Sequence, residues 1–164
     1  MQYVFYIVII TGDNEMIGLD RAIELAVYAH LGQKDRGDWS YILHPIHVMM
    51  KIKEGGGTED EMIVAVLHDA VEDSKGKVTI ESLKTEGMTE TQLNALIAMT
   101  HNKEDDYLDV YIQKIKSNSI ARKVKIEDLK HNTDITRLKN RNNLKTKDLE
   151  RLGKYGKAYE ILAG

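Results

Sequence analysis

The segment Thr58-Glu59-Asp60-Glu61-Met62-Ile63-Val64-Ala65-Val66-Leu67-His68-Asp69-Ala70-Val71-Glu72-Asp73 decides how the chain is read. Thr58 followed three residues later by Glu61 is a capping-box pattern, in which hydroxyl and carboxylate satisfy two amides that a helix start leaves unpaired. Behind it Met62, Ile63, Val66, Leu67 and Ala70 recur at helical spacing, so the segment is expected to be one helix with His68 and Asp69 inside it. A helix advances about 100° per residue, which stacks His68 over Glu72 and Asp69 over Asp73. Four ionisable groups then meet at the end of an apolar helix. Burying even one carboxylate without a partner is expensive, so the cluster needs either open solvent or a compensating cation. Alone, the pair would be read as a solvated helix end; the rest of the chain supports a divalent metal.

Working outward, His44 stands before Pro45, at the entrance of a helix that carries Ile46, Met49, Met50 and Ile52 and stops at Gly55-Gly56-Gly57. Before it, the polar stretch 32–40 is a loop, and a first helix carries Leu19, Ile23, Ala26, Val27 and His30. His30 on that apolar face is read as a core histidine. Downstream, Thr79, and Thr89 with Gln92, open two further helices. A helix over 106–116 presents Leu108, Tyr111, Ile112 and Ile115. Ser119 is expected to cap a longer one whose stripe reads Ala121, Val124, Asp128, Asn132, Ile135. The last helix, opened by Thr146 and Asp148, shows Leu149, Leu152, Tyr159 and Leu162, with Gly153 and Gly156 permitting a close neighbour. Asp128, an acid on an apolar stripe, joins His44 as a second distant ligand type.

Composition agrees with this plan. A chain of 164 residues with one proline is suited to a single all-α domain of roughly seven to eight helices. The absence of cysteine excludes disulfides, thiolate nucleophiles and sulfur-ligated zinc. Residues 1–120 carry 11 basic and 20 acidic side chains, whereas 121–164 carry 12 and 6. A polyphosphate would be drawn to that basic end, as would nucleic acid, although solvated helix faces share the pattern. The apolar run 3–10 is too short to cross a bilayer and lacks the flanks of an export signal. It is expected to form a short strand or extended arm, so that 1–17 is an arm outside the core and 18–164 the domain. A cytoplasmic location follows, with no membrane partner; oligomeric state is left open.

Two imidazoles and two carboxylates with positions left for water suit Mn²⁺, Fe²⁺ or Zn²⁺ better than Ca²⁺ or Mg²⁺. Such an ion makes hydroxide available at neutral pH, and phosphate-ester hydrolysis is the natural use.

The ordered set His44-Pro45, His68-Asp69, Glu72-Asp73 and Asp128 resembles the HD superfamily. Gly32-Gln33, the run from Tyr41 to Pro45, that from Ala65 to Asp73 and that from Val124 to Asn132 are similar, more narrowly, to the hydrolase domain of RelA/SpoT-type enzymes and the small alarmone hydrolases. The likeness runs from about Gly18 to the C-terminus. It implies an HD-domain helical bundle and an Mn²⁺ ion held by His44, His68, Asp69 and Asp128, with Glu72 and Asp73 activating and orienting water. It also implies ppGpp or pppGpp as substrate, the 3′-pyrophosphate leaving as a unit, and nucleotide contacts from Asn132 and from basic residues of the loop, here Lys34 and Arg36.

That loop departs from the family, which shows adjacent basic residues and then Gly-x-Pro-Tyr. Here the run is Lys34-Asp35-Arg36-Gly37-Asp38-Trp39-Ser40-Tyr41. An altered loop leaves the metal set intact but opens the alternative of another phosphorylated nucleotide or dinucleotide. A non-catalytic nucleotide- or nucleic-acid-binding module is a third reading, disfavoured because Glu72 and Asp73 are both present. His47, His101 and His131 are read as surface or supporting residues, and Tyr41, Tyr107 and Tyr111 are left without a role.

Overall fold

The computed structural model describes residues 16–164, so the expected arm over 3–10 lies outside the described residues. Ile17, assigned to that arm, is buried in the core, and its N–H donates to the Gly87 carbonyl. The described chain is all-α: α1 (Leu19–Ala29), α2 (Leu43–Glu54), α3 (Glu59–Leu67), α4 (Ala70–Asp73), α5 (Ile80–Thr85), α6 (Glu90–Met99), α7 (Ile112–Lys116), α8 (Ser119–Thr133) and α9 (Thr146–Ala163). Counting α3 and α4 as one interrupted helix gives eight. Among the described residues there is no strand, only an isolated bridge between Lys34 and Ser40.

All three capping boxes form, at Thr58, Thr79 and Thr89, because each needs only residues three apart. The α3 helix is the axis of the bundle. Its residues Ile63, Val64, Ala65, Val66 and Leu67 are buried in succession, and a helix apolar all round must be covered on every side. It is covered by α1, α2, α6 and α8. The alanines Ala22, Ala26 and Ala29 bring α1 close to the core. Gly57 does the same for the α2–α3 turn, where a Cβ would fall 2.4 Å from Ile52 Cγ2. Pro45 is the third residue of α2, still in the first turn, where its missing N–H leaves no bond unmade.

Several expectations are corrected. His68 and Asp69 do not lie inside one helix but in a turn between α3 and α4. The 106–116 helix begins as a π-helical turn, Tyr107–Tyr111, before α7; its N–H bonds reach back five residues, Tyr111 to Asp106 and Ile112 to Tyr107. Asp106 Oδ1 starts it by accepting the Leu108 and Asp109 amides. Asn118, not Ser119, caps α8. The stripe members Val27, Met50, Leu149 and Tyr159 are exposed, because the buried face of each helix is narrower than its apolar residue count suggests, and Ile135 is exposed because α8 ends at Thr133 before reaching it. The Gly153 and Gly156 positions on α9 face open space, with nothing within 4 Å of a built Cβ, and so admit no close neighbour.

Candidate metal centre

The turn that interrupts α3 aims His68 and Asp69 toward α2 and α8. His44, near the start of α2, and Asp128, in the middle of α8, meet them there. His44 Nε2 lies 3.0 Å from Asp128 Oδ1 and 3.5 Å from Asp69 Oδ2. His68 Nε2 lies 3.1 Å from Asp69 Oδ2 and 3.6 Å from Asp128 Oδ1. His44, His68 and Asp128 are each 2% exposed, and one ligand atom from each falls within 4.8 Å of the others. Asp69, although it touches both imidazoles, stands at the edge of this trio and is partly exposed.

Despite these short separations, neither Nε2 has a hydrogen-bond partner among the described residues. Nitrogens and carboxylate oxygens converge on a shared space instead of pointing at one another. Two orphaned buried nitrogens facing two carboxylates is the arrangement a divalent cation would satisfy, so the donor set fits. The ring of His68 is already oriented for a cation. Its Nδ1–H donates to the Ala65 carbonyl at 2.7 Å, which directs Nε2 inward.

The carboxylates are held by their neighbours. Burial opposes ionisation of Asp128, but the Lys125 ammonium, 2.8 Å from Oδ2, and the two imidazoles outweigh it and keep the carboxyl well below its ordinary range. Burial also opposes the charge on Lys125, and Asp128 overcomes it. For His68, burial is outweighed by Asp69 and Asp128, which push the imidazole up to about 10. The His44 ring is raised by the same two acids against burial. Asp69 is lowered, burial being outweighed by His68 and His44, and accepts the Tyr41 hydroxyl at 2.7 Å. Asp73 moves the other way, raised by burial and by the charge on Asp69.

The centre forms the floor of a cavity of about 530 Å³. Glu72 and Asp73 are on its lining, and the Glu72 carboxylate accepts the His101 amide at 3.1 Å. Lys34 and Arg36 also line the cavity, as does Asn132, whose Nδ2 donates to Asp128 Oδ1 at 2.6 Å. Asp35, the acid that breaks the expected basic pair, organises the loop. Its Oδ1 accepts the Gly37 and Trp39 amides and its Oδ2 pairs with Arg137 at 3.1 Å. Gly37 presses on the same turn, where a Cβ would fall 2.6 Å from the Arg137 carbonyl.

The structure thus brings together all nine residues named from the sequence, His68 at the floor and the other eight on the cavity lining. It adds residues to which the sequence assigned no role. Tyr41 holds Asp69, and Lys125 holds Asp128 from the preceding turn of α8, an i,i+3 spacing that was readable. From α9 come Arg151, Lys154 and Tyr155. Arg151 Nε and Nη2 are buried without a partner among the described residues, and Lys154 Nζ sits 4.3 Å from the Tyr107 ring centroid. Their only sequence signal was the basic balance of the last 44 residues.

No family model matches the chain. Over 66 residues it is 38% identical to the guanosine-3′,5′-bis(diphosphate) 3′-pyrophosphohydrolase of Aquifex aeolicus (strain VF5), covering 40% of this chain and 9% of that enzyme. The chain therefore matches less than a tenth of that relative's length. A solved structure of a metazoan ortholog of SpoT that hydrolyzes ppGpp and plays a role in starvation responses shares the fold. Its TM-score is 0.74 over 89% of this chain and 85% of that one, at 18% identity. The fold is an all-α HD-domain bundle, with a buried cluster of histidine and aspartate able to hold a metal ion. In sequence and fold it resembles the hydrolase domain of RelA/SpoT-type enzymes.

Proposed function

We propose that the protein is a metal-dependent phosphohydrolase that removes the 3′-pyrophosphate from ppGpp and pppGpp, giving GDP or GTP and diphosphate. The observation that carries this reading is the convergence of His44, His68 and Asp128 beside a cavity lined by both acidic and basic side chains. Residues 18–164 form the working unit in this reading, acting on a small cytoplasmic nucleotide. A divalent cation, Mn²⁺ by preference with Fe²⁺ or Zn²⁺ as substitutes, would be held by His44, His68, Asp69 and Asp128 and would supply Lewis-acid activation.

The protein's own groups do the rest. Glu72 and Asp73 face the cavity beside the centre, placed to orient the attacking water and take its proton. The raised carboxyl of Asp73 is a stronger proton acceptor than an ordinary aspartate. Lys125 fixes Asp128 in the ionised form. Lys34, Arg36 and Asn132 on the cavity lining, and Arg151, whose Nε and Nη2 have no partner among the described residues, offer hydrogen-bond donors to phosphate oxygens. The bond broken joins the ribose 3′ oxygen to phosphorus, and the diphosphate departs as one unit.

Purified protein with Mn²⁺ is expected to convert ppGpp to GDP and diphosphate, and Asp69→Ala or Glu72→Ala to abolish turnover. Product analysis by anion-exchange chromatography reads both. Unchanged rates in the two variants overturn the assigned roles. The Asp35-organised loop favours testing a second substrate class, another phosphorylated nucleotide or dinucleotide. Turnover of such a compound with ppGpp inert would move the assignment there.

A further inference from the structure

His68 has a backbone carbonyl to fix its tautomer, but His44 does not. The Nδ1 of His44 faces the Nδ1 of His131 at 2.7 Å, with the ring planes 7° from parallel and the centroids 5.0 Å apart, so the two rings meet edge to edge. Two ring nitrogens at that distance must share one proton: two would collide and none would set lone pair against lone pair. The opposite nitrogen of His44, Nε2, is the one aimed at Asp128 and Asp69. A cation can be held there only if that nitrogen carries no proton, so the shared proton belongs to His44 Nδ1 and His131 receives it.

We infer that His131 is a positioning residue whose Nδ1 accepts the His44 Nδ1–H and so keeps the His44 Nε2 lone pair directed into the metal centre. The inference rests on the metal reading given above. The rest of the surroundings suit an acceptor that must not turn. One face of His131 stacks on His47 at 3.8 Å between centroids and 9° between planes, so the acceptor ring is held on its face by one imidazole while its edge meets the other. Its backbone carbonyl accepts the Arg137 Nη1 at 2.8 Å, which anchors the end of α8 where the ring is mounted. Asp128 and Asn132 leave the same stretch of helix, so the residue that orients one imidazole shares a rigid mount with the acid opposite it. His131 is absent from the cavity lining, which separates its role from that of substrate contacts.

The test compares His131→Phe, which keeps a flat ring on His47 but removes the acceptor, with His131→Asn, whose side-chain oxygen can take the place of Nδ1. Mn²⁺ affinity of the metal-free proteins is measured by calorimetry, with thermal melts to establish that each variant is folded. Loss of an outer partner to a metal-bound histidine typically costs about 10–100-fold in affinity, so that loss is expected for His131→Phe and recovery to near the wild-type value for His131→Asn. Equal affinity of His131→Phe and wild type overturns the inference, as does a His131→Asn variant that binds no better than His131→Phe. A second measurement uses the wild type alone. With diamagnetic Zn²⁺ bound, nitrogen-detected NMR of the histidine rings should show a proton on His44 Nδ1 coupled through the hydrogen bond to His131 Nδ1. A His44 ring without that proton overturns the inference whatever the variants do. If the wild type binds neither Mn²⁺ nor Zn²⁺, the metal reading itself falls and takes this one with it.

Discussion

Replacing Asp128 by asparagine removes a charge from the least solvated part of the site, and its consequences follow from the geometry. The Lys125 ammonium lies 2.8 Å from Asp128 Oδ2, with 12% and 3% of the two side chains exposed. At an effective dielectric constant of about 20, unit charges at that separation attract by about 6 kcal/mol. Desolvation of both ions offsets part of this, and breaking a buried pair by removing one partner typically costs about 3–5 kcal/mol. In a chain of this size each kcal/mol moves the melting temperature by about 2–4 °C. Asp128→Asn without metal should therefore melt roughly 6–20 °C below the wild type, read by calorimetry. Adding Lys125→Met leaves no unpaired ammonium and should recover most of that stability. The double variant should still fail to bind Mn²⁺, because Asp128 Oδ1 is what faces both imidazoles. An Asp128→Asn protein within about 1 kcal/mol of the wild type, or one that binds Mn²⁺ as tightly, refutes the reasoning.

Four further outcomes are expected. The His68 ring, raised to about 10, must shed its proton to hold a cation, so Mn²⁺ affinity should tighten about tenfold per pH unit from 7 to 9; a flat profile by calorimetry contradicts this. The same raised ring stabilises the metal-free fold fully below its ordinary value near 6.5 and loses that contribution as pH rises through about 10. The depressed Asp69 and Asp128 contribute above about pH 3.9 and lose their contribution as pH falls, so chemical denaturation should show stability declining on both sides. Arg151→Met removes two donors that have no partner among the described residues; the KM for ppGpp should rise by about tenfold or more, the equivalent of ~1.5 kcal/mol for a hydrogen bond to a charged group, while Mn²⁺ affinity stays unchanged. Asp35→Ala frees the 34–40 loop from Arg137 and from two amides, and steady-state kinetics should show a raised KM with little change in kcat.

The sequence by itself determined the helical class, the positions of three capping boxes and the identity of the residues gathered around the centre. Those signals are local or chemical. A threonine finds its partner three residues on whatever the rest of the chain does, and His44, His68, Asp69 and Asp128 are the polar exceptions in otherwise apolar or helix-opening settings. Tertiary structure alone decided the turn that lifts His68 and Asp69 out of α3, the π-helical start at Tyr107, and the α9 wall that brings Arg151 over the cavity. It also seated His131 against His44, 87 positions away in the chain. Helical periodicity reports which face of a segment is apolar, but not which distant helix will cover it. The last hydrogen bonds at a buried site are chosen by those covering partners, and so they appear only once the helices have packed.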